Sequence, residues 1–218
     1  MNRFSFSSCL AWRQWLVPGG MVVLVLIGFW LRGHAGGWGL PFRLHPDEMK
    51  YVGAGAQVHL GEWNPRYFRN PPGFSYMNAA WFPFWLQIQT PVYVPEWLGI
   101  DPLRLRPSTR VKATFLYRPF DLVAGARMLA ALLGACTILW VFLLAREFVG
   151  KHLALGASAL YTVSFLSVRD SHFATNDMAM AFWVTLAGWL MVKAYRGDRT
   201  RDWILASALG GIAVAMKY

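Results

Sequence analysis

The sequence is short of acid. Its 218 residues hold 11 Asp and Glu against 21 Lys and Arg, a formal charge of +10. It is short of charge altogether, at 15%, where a soluble domain carries about 25%. The missing charge is replaced by apolar residues, 56% of the chain, gathered in blocks. That excludes an ordinary soluble domain and indicates an integral membrane protein. There are only two cysteines, Cys9 before the first apolar block and Cys136 inside a later one. They fall at different expected depths, so no disulfide framework is expected. Clusters of Cys and His at metal-ligand spacing are absent, and neither a metal nor a cofactor is expected. RNA-binding and zinc-finger patterns are absent too. The positive charge flanks the apolar blocks, which points to membrane orientation and anionic headgroups rather than to nucleic acid.

The apolar runs are residues 15–31, 128–145, 153–168, 178–192 and 203–216. Each approaches the length of about 17–25 residues that a spanning helix needs. The expected fold is all-α, with about five transmembrane helices at 15–32, 122–145, 153–168, 177–194 and 203–218. Arg3 and Arg13 precede the first run, and "RGHAGG" after it is a poor cleavage site, so an uncleaved helix is expected rather than a signal peptide. Residues 33–121 form a long first external loop holding many of the prolines, most of the acids and many aromatics. Within it "PPGFSYMNAAWFPFWLQI" is apolar, but Pro72 and Pro83 limit its uninterrupted length. An interfacial helix is expected there, with Trp81, Phe82, Phe84 and Trp85 at headgroup level. The loops carrying Arg146, Lys151, Lys193, Arg196, Arg199 and Arg201 then share the inner side, as the positive-inside rule requires. The 33–121 loop and the 169–177 turn face outside.

Two acidic stretches meet at that outer face. In "LHPDEMKYVGAG" Pro46 suits a first helical position, and Met49, Val52, Ala56 and Leu60 recur at near-helical spacing. Asp47 and Glu48 would lie in the first turn, where the helix dipole favours anions. Helix capping alone would account for them. In "RDSHFATNDMAM" Asp177 stands at the outer mouth of an apolar helix, with Asp170 and His172 nearby. Capping with Asn176 would account for it singly. An acid at that boundary is costly unless paired or functional, and two acids placed independently at one face suggest a site for an amphiphilic substrate.

The ordered set of segments resembles the GT-C polyprenol-phosphate-sugar-dependent membrane glycosyltransferases, which include protein O-mannosyltransferases and the aminoarabinose transferases of lipid A. "HPDE" resembles the acidic motif of their first external loop, and "NPPGFSY" their Pro-Pro segment. "ARMLAALLGACTILWVFLLAREFVG" resembles their second helix, "RDSHFATNDMAMAFW" the second acidic motif, and "ALGGIAVAMKY" the Gly-rich fifth helix with its Lys. The resemblance implies transfer of a sugar from a polyprenyl-phosphate donor to a lipid, glycan or protein hydroxyl, in one inverting displacement at the outer face. It implies Asp47 as the base, Glu48 as its support and Asp177 as the second acidic position. It implies Lys50, Arg127 and Lys217 as cations for the leaving phosphate; His172, near Asp177 in the sequence, is a further candidate for substrate binding. One departure is Asn70, after Arg69, where some relatives carry a Lys. The family has more helices than this, so a truncated GT-C module is expected, an N-terminal part spanning 1–218 and inactive alone. A bacterial inner membrane with a periplasmic site suits it. A transporter half or scaffold subunit is the competing class; the apolar runs are uncharged and the acids gather at one surface, which disfavours transport.

Overall fold

The computed structural model describes residues 16–42, 45–65, 70–88 and 105–218. Among these residues the regular structure is helical throughout, so the chain is an all-α protein. In chain order the helices are α1 (Leu16–Gly33), α2 (Glu48–His59), α3 (Gly73–Ile88), α4 (Pro107–Tyr117), α5 (Pro119–Arg146), α6 (Lys151–Val163), α7 (Phe165–Ser171), α8 (Asp177–Gly197) and α9 (Thr200–Lys217). Cys9, Arg3, Arg13 and Arg69 lie outside the described residues; Cys136 is a free thiol.

Helix α5 is the axis of the bundle. It has 28 residues, and α1, α3, α6 and α8 all pack on it. Its contact faces are small: Ala126, Ala130, Ala131, Gly134 and Ala135 are buried. Small residues let helix backbones approach closely where lipid supplies no hydrophobic drive between helices. Outward-facing residues are the reverse of a soluble surface. Val22, Val23, Leu26, Ile27 and Trp30 on α1, Leu153, Leu160 and Val163 on α6, and Val184 and Met191 on α8 are all exposed. Patches of that size need an apolar solvent.

Among the described residues three helices, α1, α5 and α8, are long and apolar enough to cross a membrane. Helix α9 has 18 residues but carries Arg201, Asp202 and Lys217. The 153–168 run, read from sequence as one helix, is divided. Ser164 leaves the helical region (φ −59°, ψ 119°) between α6 and the seven-residue α7. The carbonyls at the break are taken by Arg32, whose guanidinium donates to Thr162 O at 3.0 Å and Tyr161 O at 3.3 Å, and to Ser167 Oγ at 2.9 Å. A buried cation from α1 thus satisfies the groups that helix continuation would otherwise have used.

Pro83 does not end α3. The helix runs through it for 16 residues, short of the three that could cross. Its Trp81 and Trp85 are anchored rather than free at an interface: Trp81 Nε1 donates to Gly125 O at 2.8 Å and Trp85 Nε1 to Asp121 O at 3.0 Å. Gly125 permits this approach, because a Cβ there would sit 2.4 Å from the Trp85 ring. Gly125→Ala is therefore expected to destabilise the bundle by roughly 1–3 kcal/mol through overpacking. Gly188, where a Cβ meets only Leu144 at 3.9 Å, is the control. A lower thermal midpoint in detergent for Gly125→Ala, with Gly188→Ala unchanged or raised, is the expected result; equal midpoints would contradict it.

The polar residues separate to opposite ends. At one end Arg196 donates to the Glu147 carboxylate at 2.9 Å and to its backbone carbonyl. That fastens the C-terminus of α8 to the C-terminus of α5, beside Arg146, Lys151 and Lys193. The N-terminal parts of α5 and α8 lie at the opposite end, with the N-terminus of α2 and the C-terminus of α9. The acids singled out from the sequence are there.

Candidate functional site

Adjacent residues on a helix point about 100° apart, and Asp47 and Glu48 diverge accordingly. Glu48 points inward and is 3% exposed. Its two oxygens accept from Arg127, Nε at 2.7 Å and Nη2 at 2.8 Å. Arg127 is 1% exposed. Its Nη1 donates to Trp38 O at 2.7 Å and Gly36 O at 3.3 Å, and Phe173 lies 5.9 Å from its guanidinium carbon. Glu48 Oε1 also accepts from Ala174 N at 2.8 Å. One buried ion pair therefore joins four segments: the 34–40 turn, the start of α2, α5, and the 172–176 loop. In this arrangement Glu48 does not face outward beside Asp47, and Arg127's donors are already engaged.

Asp47 faces the other way. It is the residue before α2, yet its carboxylate makes no capping hydrogen bond. It accepts instead from Lys50 Nζ at 2.6 Å, with both side chains well exposed. The capping account of Asp47 is not what its carboxylate does. His45 Nδ1 accepts from Asp47 N at 3.3 Å, and the His45 ring packs on Phe173 at 5.2 Å.

Asp177 is the first residue of α8. Asn176, the residue before the helix, makes no side-chain cap; its Nδ2 donates to Met216 O at 2.7 Å. The Asp177 carboxylate accepts from Lys217 Nζ at 2.6 Å and Thr175 Oγ1 at 3.0 Å. Two side chains of the 175–177 stretch thus reach the C-terminal end of α9.

A cavity of about 420 Å³ is lined by His45, Arg169, Asp170, Phe173, Thr175 and Asp177. It lies where the α2 entry meets the 169–177 segment. Asp177 lines it directly; Asp47 is two residues from the lining His45, and the Glu48–Ala174 bond fastens the start of α2 to the chain three residues before Asp177. Arg169 is paired with Asp170 at 2.7 Å. His172 turns away, its Nε2 facing Leu31 O at 2.9 Å and its ring edge-on to His34, so it secures α7 to α1. Asn70 Nδ2 donates to Tyr51 OH at 2.8 Å, which holds the Pro-Pro segment on α2. A somewhat larger cavity of about 470 Å³, lined by Gly37, Leu40, Tyr117, Arg118 and Asp121 among others, lies apart from these acids. The smaller one is lined by Asp170 and Asp177, two of the acids singled out from the sequence. Among the described residues no three His, Cys, Asp or Glu gather as a metal site requires.

Sequence reasoning did not anticipate that Glu48 and Arg127 pair, nor the roles of Arg32, Thr175 and Asn176. The helical angle between Asp47 and Glu48 was the one signal for the first of these.

The fold and site together define a helical membrane protein with an acid-and-lysine site at one end of its bundle. Residues 121–218 match the family described as dolichyl-phosphate-mannose-protein mannosyltransferase, of the GT-C type. The match supports a membrane glycosyltransferase. It includes Arg127, Asp177 and Lys217, while Asp47, Glu48 and Lys50 lie before it. No curated protein and no solved structure matches the chain.

Proposed function

We propose that the acidic end of the bundle transfers a sugar from a polyprenyl-phosphate donor to an acceptor hydroxyl. The acceptor oxygen attacks the anomeric carbon as the bond from that carbon to the phosphate oxygen breaks. The electron pair leaves with the lipid phosphate, the acceptor proton goes to Asp47, and the anomeric centre inverts. General-base catalysis of this kind contributes about 10²–10⁴-fold. Asp177 orients the acceptor. Lys50 and Lys217 stabilise the charge that grows on the departing phosphate. Arg127 and Glu48 hold the two acidic segments in register, and His172 fixes α7 behind them.

The observation that carries this reading is the split between the two kinds of acid. Glu48 is buried and fully bonded, whereas Asp47 and Asp177 are partly exposed, each held by one lysine at 2.6 Å. Their partial exposure lets an acceptor hydroxyl reach the two carboxylates, which the burial of Glu48 forbids. The test is release of polyprenyl phosphate. The natural enzyme, purified from its own membrane into nanodiscs, is given a polyprenyl-phosphate hexose labelled in the sugar, with membrane extract as the acceptor source. Label should move to the acceptor with stoichiometric polyprenyl phosphate; its absence with active extract would sink the reading.

The site is proposed to face the periplasm of a bacterial inner membrane, with the five apolar runs crossing. Thr109, exposed on α4, reports this. A Thr109→Cys variant in a Cys9→Ser, Cys136→Ala background is expected to react with an impermeant maleimide on intact cells. Labelling only after the inner membrane is opened would reverse the topology.

A further inference from the structure

Resting on the proposed transfer reaction, we infer that the donor phosphate and the two exposed carboxylates compete for the same two lysines, so that donor binding releases Asp47 and Asp177 for the acceptor. The site holds two classes of ion pair. Glu48–Arg127 is bidentate, buried and supported by three backbone groups. Breaking it would strand a charge, so it does not exchange. Lys50–Asp47 and Lys217–Asp177 each have one contact of 2.6 Å, with all four side chains 35–42% exposed. Pairs so open to water exchange at little cost. Lysine also suits a change of partner: its ammonium is a point charge on a flexible stem, without the fixed fork of arginine.

Charge makes the exchange necessary. The cavity is lined by two acids, Asp170 and Asp177, and by Arg169. That arginine is already on Asp170, and Asp170 also acts on Lys217. A lipid phosphate entering beside these carboxylates meets repulsion until a cation turns toward it. Lys217 is held on the lining Asp177, and Lys50 on Asp47 beside the lining His45; these are the ammonium groups that can turn toward it. While a lysine sits on it at 2.6 Å, that carboxylate oxygen is occupied and an acceptor hydroxyl cannot reach it. When the phosphate takes the lysines, the same movement creates the anion site and frees the base. The acceptor is then deprotonated only when a donor is present, so binding is ordered, donor first.

The test is a pair of double-mutant cycles read by binding of decaprenyl phosphate, without sugar, to the full chain in phosphatidylcholine nanodiscs. Asp177→Asn is expected to tighten decaprenyl phosphate binding about two- to fivefold, the scale of an exposed ion pair. Lys217→Gln should weaken it. In the Lys217→Gln background, Asp177→Asn should give no further gain. The cycle of Asp47→Asn with Lys50→Gln should behave alike and guards against a misfolded variant in the first. Equal gains from Asp→Asn in both lysine backgrounds would mean simple repulsion and overturn the exchange, as would no gain. In that event loss of transfer in Asp47→Asn would leave the glycosyltransferase reading standing. Failure of the wild-type protein to bind decaprenyl phosphate would overturn both.

Discussion

Asp47→Asn is expected to reduce sugar transfer by about 10²–10⁴-fold, the usual contribution of a general base, while leaving the protein folded. The substitution removes a charge and almost no volume at an exposed position. It breaks a single ion pair with Lys50, and pairs of this exposure are worth about 0.2–1 kcal/mol. Asn also occupies the position before a helix as readily as Asp. Structural consequences should therefore be slight and catalytic ones large. Turnover, measured with the thermal midpoint on the same preparation, separates the two. Glu48→Gln gives the contrasting profile. It disturbs a buried ion pair, so its loss of activity should follow loss of folded protein. Asp177→Asn should lower turnover and raise KM together if Asp177 positions the acceptor. Near wild-type turnover in Asp47→Asn would make the exposed lysine pair merely a surface contact.

Much of the architecture is legible from composition. A run of apolar residues without charge can hardly be anything but a buried or spanning helix, and α1, α5 and α8 follow from that directly. The division of 153–168 does not. Nothing in "YTVSFLSV" is a strong breaker. The break is sustained by Arg32, about 130 residues earlier in the chain, and a local pattern cannot register a partner so distant. Pro83 errs in the opposite direction. Proline ends an isolated helix by losing one hydrogen bond and crowding the preceding turn, but here the helix is held through Phe82, Leu86 and the two tryptophan bonds to α5. Packing outweighs the local cost. The site divides the same way. The sequence brings acids and cations to one face, because membrane order sets depth. It does not assign partners: Glu48 and Arg127 are 79 residues apart, and so are paired only once the 34–40 turn and the 172–176 loop close around them.

Arg127→Met should have the largest structural effect. It leaves the Glu48 carboxylate buried at 3% exposure with only Ala174 N as donor, and strips Gly36 O and Trp38 O of theirs. Removing one partner of a buried pair costs about 3–5 kcal/mol, a large part of the roughly 5–15 kcal/mol that holds a domain folded. The expected outcome is little monodisperse protein after solubilisation and a sharply lower thermal midpoint. Arg127→Lys should recover only a fraction, since one ammonium cannot span both carboxylate oxygens and two carbonyls. The double variant Glu48→Gln, Arg127→Met should be less damaged than the sum of its parts, because no uncompensated charge remains. Even so, its turnover should stay low: the start of α2 and the loop before Asp177 would no longer be fastened to each other, and small displacements of reacting groups are costly. The same variant also distinguishes a brace from a phosphate ligand. If Arg127→Met folds normally and loses decaprenyl phosphate binding instead, Arg127 belongs to the donor site. If folding fails and the double variant restores it, the guanidinium serves the architecture that fastens the segments bearing Asp47 and Asp177 to each other.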